Sequence, residues 1–102
     1  MKIVQVEMLG FGKKGEFRPV KIPEDQPNQD TTAGLLDAVF YWGQNDFQTC
    51  GSCYSVSVGD VVWLDGEKWL VKGFGFKKLS EAAYIGYSNL DQQDRYSIAM
   101  RA

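Results

Sequence analysis

The sequence of 102 residues contains no histidine, the side chain that most often transfers protons in enzymes near neutral pH. Acid–base chemistry would therefore depend on carboxylates, lysines or tyrosines. No serine occupies the Gly-x-Ser-x-Gly context of a nucleophile elbow, and no segment matches a calcium- or magnesium-binding loop. These absences predict a protein that is not an enzyme and that needs no cofactor.

Cysteine is scarce, since Cys50 and Cys53 of a Cys-Gly-Ser-Cys segment are the only two. A structural zinc site needs four ligands, which the cysteines of one chain cannot supply here. A redox dithiol needs its first cysteine at a helix N-terminus, whereas this pair lies in a Gly/Ser-rich loop before a predicted strand. We interpret the pair as plain reduced thiols. A zinc ion shared across a homodimer is the alternative, and redox catalysis ranks last.

Long apolar runs are also absent, because no run approaches the roughly 20 residues that span a bilayer. The N-terminal segment Met-Lys-Ile-Val-Gln-Val-Glu is typical of an amphipathic strand and not of a signal peptide, since polar residues interrupt it. The chain length and the 44% hydrophobic content predict a single domain over residues 1–102. We expect this domain to be cytoplasmic, with no membrane partner.

Basic residues are missing from one long segment. From Ile22 to Glu67 the sequence has eight acidic residues and no lysine or arginine, whereas the remainder has eleven basic and five acidic residues. Either the two parts interleave and the surface charge averages out, or the protein has an acidic face that suits a basic partner. One such partner is the nucleic-acid groove of another protein. The candidate protein-binding residues are Glu24, Asp25, Asp30, Asp37 and Asp46.

The clearest local signal is Asp65-Gly66 between two apolar runs, which predicts a β-hairpin with a type I′ turn. A short strand from Tyr54 is expected to lead into it. In the resulting register, Trp63 lies opposite Lys68 and its ring shelters the lysine stem. The predicted core face carries Val62, Trp69 and Val71.

The N-terminal part of the chain predicts a second hairpin. Residues 2–9 alternate, with Val4, Val6 and Met8 expected to point inward. The loop 10–15 matches Gly-x-Gly-x-x-Gly, but Pro19 and the alternation around it predict a strand where a dinucleotide site needs a helix. We therefore interpret the glycines as a hairpin loop that displays two lysines.

Two helices and a last strand complete the predicted fold. The main helix covers about residues 32–42, with Asp30 or Thr31 as its N-cap and Gly43 at its end; the second covers about residues 80–87, after Ser80. Residues 95–100 are expected to form a strand. The sequence thus predicts an α+β fold with a bent antiparallel sheet, either open or closing toward a small barrel. We interpret the aromatic cluster at residues 40–47 as core packing, not as a ligand groove; it contains Phe40, Tyr41, Trp42 and Phe47.

The segment Lys72-Gly-Phe-Gly-Phe resembles the start of the RNP1 strand of RNA-recognition motifs, in which aromatic side chains stack on bases. The order of elements and the acidic pI disfavour such a motif. Binding of single-stranded RNA or DNA is nevertheless kept as the alternative function. Its candidate residues are Lys72, Phe74, Phe76, Lys77 and Lys78.

Three segments within residues 35–79 resemble the core of the YodL-like family. They are Leu35-Leu-Asp-Ala-Val-Phe40, Tyr54-Ser-Val-Ser-Val-Gly-Asp-Val-Val-Trp-Leu-Asp-Gly66 and Trp69-Leu-Val-Lys-Gly-Phe-Gly-Phe-Lys-Lys-Leu79. The resemblance implies an accessory protein of a phage, plasmid or other mobile element, and it brings no catalytic residues with it. Together with the charge distribution, the resemblance predicts a non-enzymatic protein whose acidic face binds another protein. One concrete form of this function is an anti-CRISPR-like role, in which the protein inhibits a host defence complex.

Overall fold

The computed structural model describes residues 2–44 and 55–101, which contain five strands and three helices. The strands are β1 (Lys2–Glu7), β2 (Phe17–Ile22), β3 (Val61–Leu64), β4 (Glu67–Val71) and β5 (Phe76–Leu79), and the helices are α1 (Thr32–Trp42), α2 (Glu81–Ser88) and α3 (Gln92–Met100). The strand order is β2-β1-β3-β4-β5, with every neighbouring pair antiparallel. The α+β prediction is confirmed. Over the described residues the sheet is open, with β2 and β5 at its edges, and it does not close into a barrel.

The β3–β4 hairpin forms as the sequence predicts. Asp65 and Gly66 have φ angles of 50° and 82°, the positive values that a type I′ turn requires at both central positions. Trp63 pairs with Lys68, whose Nζ atom lies 4.5 Å from the Trp63 ring centroid. The predicted strand before the hairpin is wrong for residues 55–58, which are irregular, and Tyr54 lies outside the described residues.

Apolar side chains cover both faces of the sheet because strand residues alternate between them. On one face, Val62 and Val71 pack with α1 and with side chains of β1 and β2. On the other, Val61 and Leu70 pack with residues of α2 and α3. The predicted inward residues of the first strand are confirmed in the first of these cores. That core contains Val4, Val6, Met8, Val20, Ile22, Leu35, Leu36, Ala38, Val39, Val56, Val62, Leu64 and Val71.

Helix α1 begins and ends where local signals place it. Thr31 is the N-cap, and its side-chain oxygen accepts a hydrogen bond from the backbone N–H of Gly34 at 3.1 Å. Gly43 is the C-cap, and its N–H donates to the carbonyls of Tyr41 and Val39. The second predicted helix is also confirmed, with Ser80 capping α2.

The last predicted strand is wrong, because residues 92–100 form the helix α3. Asp91 is its N-cap and accepts from the N–H of Asp94 at 2.9 Å. The buried residues are Arg95 and Ala99, which are four apart and share one helical face. The alternating Tyr96, Ile98 and Met100 suggested a strand, yet the buried pattern has a helical period.

Candidate functional site

The segment between β2 and α1 carries three of the predicted acidic binding residues and is held in place by amide side chains. Gln29 Nε2 donates to the carbonyls of Pro23, Glu24 and Gln26 at 3.1, 2.7 and 3.1 Å. The indole N–H of Trp42 donates to Gln26 Oε1 at 2.7 Å. These bonds fix a segment that has no apolar anchor and join it to the last turn of α1. We call its exposed carboxylates the acidic connector: Glu24, Asp25 and Asp30.

Helix α1 exposes a fourth predicted binding residue beside two aromatic rings. Asp37 is exposed, and Phe40 and Tyr41 have 39% and 54% of their surface exposed. Tyr41 packs edge-on against Trp42, with ring centroids 5.2 Å apart. The prediction that these aromatics belong to the core is therefore wrong for Phe40 and Tyr41, while Trp42 packs against the core. Phe47 and Asp46 lie outside the described residues.

Two grooves flank Asp37 between α1 and the sheet. Helix α1 packs over β2, and the strands β4 and β5 contribute Trp69, Val71 and Phe76 to the lining of the grooves. One groove, of about 260 Å³, runs between Phe40 and Phe76; the other, of about 370 Å³, exposes Trp69 beside the first turns of α1. Asp37 and Phe76 line both grooves. We call this region, with Ala33, Asp37, Phe40 and Tyr41 on the helix, the α1 surface.

The α1 surface and the acidic connector have the composition of a protein-binding site. Exposed aromatic side chains beside shallow apolar grooves are typical of interface anchors. The carboxylates at residues 24–37 stand in a sequence stretch with no lysine or arginine. The aromatic rings and grooves could contact an apolar group of a partner, and the carboxylates could contact its cationic groups.

The basic and aromatic residues of the alternative site are divided between the two faces of the sheet and the turn that joins β4 to β5. Phe74 is 95% exposed at a turn closed by a hydrogen bond from Lys72 N–H to Gly75 O at 3.0 Å. Phe76 and Lys78 pair with Val71 and Trp69 on the α1 face, whereas Lys77 pairs with Leu70 on the opposite face. Phe76 packs against the core and Lys78 forms an ion pair with Glu67. Base stacking needs adjacent exposed rings, so this geometry does not favour it.

A buried polar cluster joins the loop after β1 to the start of β3. The Asp60 carboxylate is 1% exposed and accepts from the N–H groups of Gly10 and Ser57 at 2.7 and 2.8 Å. Burial raises the pKa of Asp60 to about 6, although those two hydrogen bonds and the Arg18 charge act in the opposite direction. The sequence gives no sign that Asp60 is buried.

Glu7 is a second buried carboxylate, and no pattern in the sequence predicts its burial. Glu7 is 1% exposed; it accepts from the Tyr84 hydroxyl at 2.5 Å and from the Gly15 N–H at 2.9 Å. Burial, followed by this hydrogen bond, raises the pKa of Tyr84. All these partners belong to the protein, so we interpret Glu7 and Asp60 as groups that hold the fold together.

Two further findings concern ligands and membranes. Among residues 2–44 and 55–101, no group of three or more acidic, cysteine or histidine side chains is placed to hold a metal ion. Cys50 and Cys53, the predicted thiols, lie outside those ranges. No helix in the described part of the chain has the length and apolarity needed to cross a membrane.

Comparison with protein-family models, with curated proteins and with solved structures finds no match. The class that the structure defines is an α+β domain with an open five-stranded antiparallel sheet and helices on both faces. The resemblance to the YodL-like family stays a prediction. The surfaces of this chain are therefore the basis for a functional proposal.

Proposed function

We propose that this is a non-enzymatic accessory protein that binds a basic protein through the α1 surface and the acidic connector. The observation that carries the proposal is the exposure of Phe40 and Tyr41 beside Asp37, next to grooves that end at Trp69 and Phe76. Exposed aromatics that are already held in position lose little conformational freedom on binding, and they are common hot spots. The nearby carboxylates attract a basic partner and orient it.

One concrete form of this function is inhibition of a host defence complex by a phage or mobile-element protein in the host cytoplasm. A defence complex that grips nucleic acid has a groove lined by cations, because phosphate groups dominate that recognition. The acidic connector and Asp37 offer carboxylates that can occupy such a groove in place of phosphates. The charge distribution and the resemblance to the YodL-like family support this form of the proposal.

Reversing three acidic residues is expected to abolish capture of the partner. The test variant combines Asp25→Lys, Asp30→Lys and Asp37→Lys, all at exposed positions. A matched control reverses Glu16, Glu81 and Asp94, which line neither groove beside Asp37 and change the net charge equally. Immobilised wild-type protein and both variants are incubated with bacterial lysate, and bound proteins are identified by mass spectrometry.

We expect the wild type and the control to retain the same basic proteins and the test variant to lose them. Retention should also fall sharply in 1 M salt, where the Debye length is about 3 Å. Equal retention by the test variant would contradict the proposal.

Removing the Phe40 ring should act on affinity in a different way. Phe40→Ala removes an anchor and is expected to weaken binding by roughly 2 kcal/mol, or about 30-fold. The loss should lie mainly in a faster dissociation rate, whereas the charge reversal should mainly slow association. Surface plasmon resonance with the captured partner separates the two rates. Tyr96→Ala, at an exposed ring on α3, is the control and should leave both rates unchanged.

A further inference from the structure

A third groove lies on the sheet face opposite α1. It has a volume of about 580 Å³ and runs between β4–β5 and the helices α2 and α3. Its apolar lining includes Leu70 and Leu79 of the sheet, Leu90 of the α2–α3 connection and Ile98 of α3. The volume is within the range of small-molecule sites. We call it the α2–α3 groove.

Among residues 2–44 and 55–101, the charged side chains that line the α2–α3 groove are all cationic. They are Lys72, Lys77 and Arg101. The other two lysines of β4 and β5 are neutralised, since Lys68 and Lys78 form ion pairs with Glu81 and Glu67. Within the described ranges, Lys72, Lys77 and Arg101 have no such ion pair. Three cations beside an apolar lining create a positive potential that favours an anionic group there.

Gly86 keeps part of the α2–α3 groove open. It lies inside α2, where glycine is less favourable than alanine, and a Cβ atom added to it would meet no atom within 4 Å. Ala83, one turn earlier on the helix, also lines the groove. A larger side chain at either position would project into this space. Small residues at positions 83 and 86 therefore leave the groove open. At Gly86 no neighbouring atom requires a residue without a side chain.

We propose that the α2–α3 groove binds a free amphipathic anion: a single hydrocarbon chain that ends in a phosphate or carboxylate. The chain would lie against Leu70, Leu79 and Ile98, and the head group would contact Lys77, Lys72 and Arg101. A nucleotide fits less well, because an apolar lining leaves the polar groups of a base without partners. Inorganic phosphate alone would gain nothing from that lining. Lys72 also lines the groove between Phe40 and Phe76, whereas Lys77 and Arg101 line neither groove of the α1 surface. A test on Lys77 and Arg101 is therefore independent of the proposed function.

The probe for this site is decyl phosphate, used below the concentration at which it forms micelles and titrated into the full chain by calorimetry. We expect saturable binding with one site per chain. Decanol, which lacks the charge, should bind at least tenfold more weakly, and inorganic phosphate should not bind. Decanoate should also bind, because the proposal requires an anionic head group and not a particular one.

Three variants locate the binding. Gly86→Leu fills the groove and should abolish binding, while Lys77→Gln with Arg101→Gln, at two exposed positions, should weaken it at least tenfold. Lys2→Gln with Lys13→Gln, a matched pair of exposed lysines outside the groove lining, should bind as the wild type does. If Gly86→Leu fails to fold, as judged by thermal unfolding, the double variant decides.

Three results would overturn the inference. The first is equal affinity for decanol and decyl phosphate. The second is unchanged binding by the double variant. The third is binding to phosphatidylglycerol vesicles, or to an acidic peptide, without binding to monomeric decyl phosphate.

Discussion

Gly34→Ala is expected to lower the free energy of unfolding by about 3 kcal/mol, although alanine normally stabilises a helix relative to glycine. A Cβ atom at this position would lie 1.9 Å from the carbonyl oxygen of Asn28, which is backbone and cannot rotate away. That carbonyl also accepts from the Thr31 hydroxyl at 3.2 Å, and the same hydroxyl caps α1. Relieving the clash therefore disturbs the N-cap, itself worth about 1 kcal/mol.

A matched substitution in α2 should have the opposite effect. Gly86→Ala meets no atom within 4 Å, so the helix gains the usual advantage of alanine, about 0.5–1 kcal/mol. Urea unfolding of the wild type and the two variants measures both changes. The midpoint should fall for Gly34→Ala and rise for Gly86→Ala. Midpoints that move in the same direction would contradict the close contact between Asn28 and α1.

The stability of the protein is expected to decrease as the pH rises from about 4 to 7, because of Asp60. The pKa of this carboxyl is raised from 3.8 to about 6 in the folded protein. Between these values the folded state holds a proton that the unfolded state releases. The contribution of Asp60 is therefore fully present below the unfolded pKa and is lost as the pH passes through the folded pKa, by about 3 kcal/mol in total.

Asp60→Asn removes this titration and provides the test. The other charges that act on Asp60 are Arg18, which stays protonated over this range, and Glu16. The amide can accept only one of the two backbone hydrogen bonds well, so the variant starts from a lower stability. What matters is the pH dependence: the loss of stability between pH 4 and 7 should be about 2 kcal/mol larger in the wild type, since part of the total already disappears below pH 4. Stability is measured by thermal unfolding at each pH. If the stabilities of the two proteins changed in parallel with pH, the pKa of Asp60 would not be raised, and the prediction would be contradicted.

The parts of the fold that depend on local chemistry could be predicted from the sequence. The turn at Asp65-Gly66 needs positive φ at two neighbouring positions, and this chemistry sets the hairpin register. Thr31 and Gly43 mark the ends of α1 in the same way. Asp91 is an equivalent N-cap signal for α3, with Asp94 at N3, but the alternation of apolar residues after it favours a strand.

What depends on packing between distant segments could not be predicted. Glu7 is buried because Tyr84, 77 positions later, covers it and donates to it. Phe40 and Tyr41 are exposed on α1, and the exposure of a helical aromatic depends on what distant segments place against it. The acidic composition of residues 24–37 was visible in the sequence, but the grooves beside Asp37 exist only in the folded protein.

Photo-crosslinking at a single α1 position tests the proposed binding surface most directly. Benzoylphenylalanine replaces Tyr41 in one protein and Tyr96 on α3 in another; the two tyrosines are similarly exposed, at 54% and 44%. Each protein is irradiated in bacterial lysate and its adducts are resolved by mass. We predict one discrete protein adduct from position 41, absent when the carboxylates at 25, 30 and 37 are reversed, and none from position 96. An adduct from position 96 alone, or equal adducts from both positions, would contradict the account.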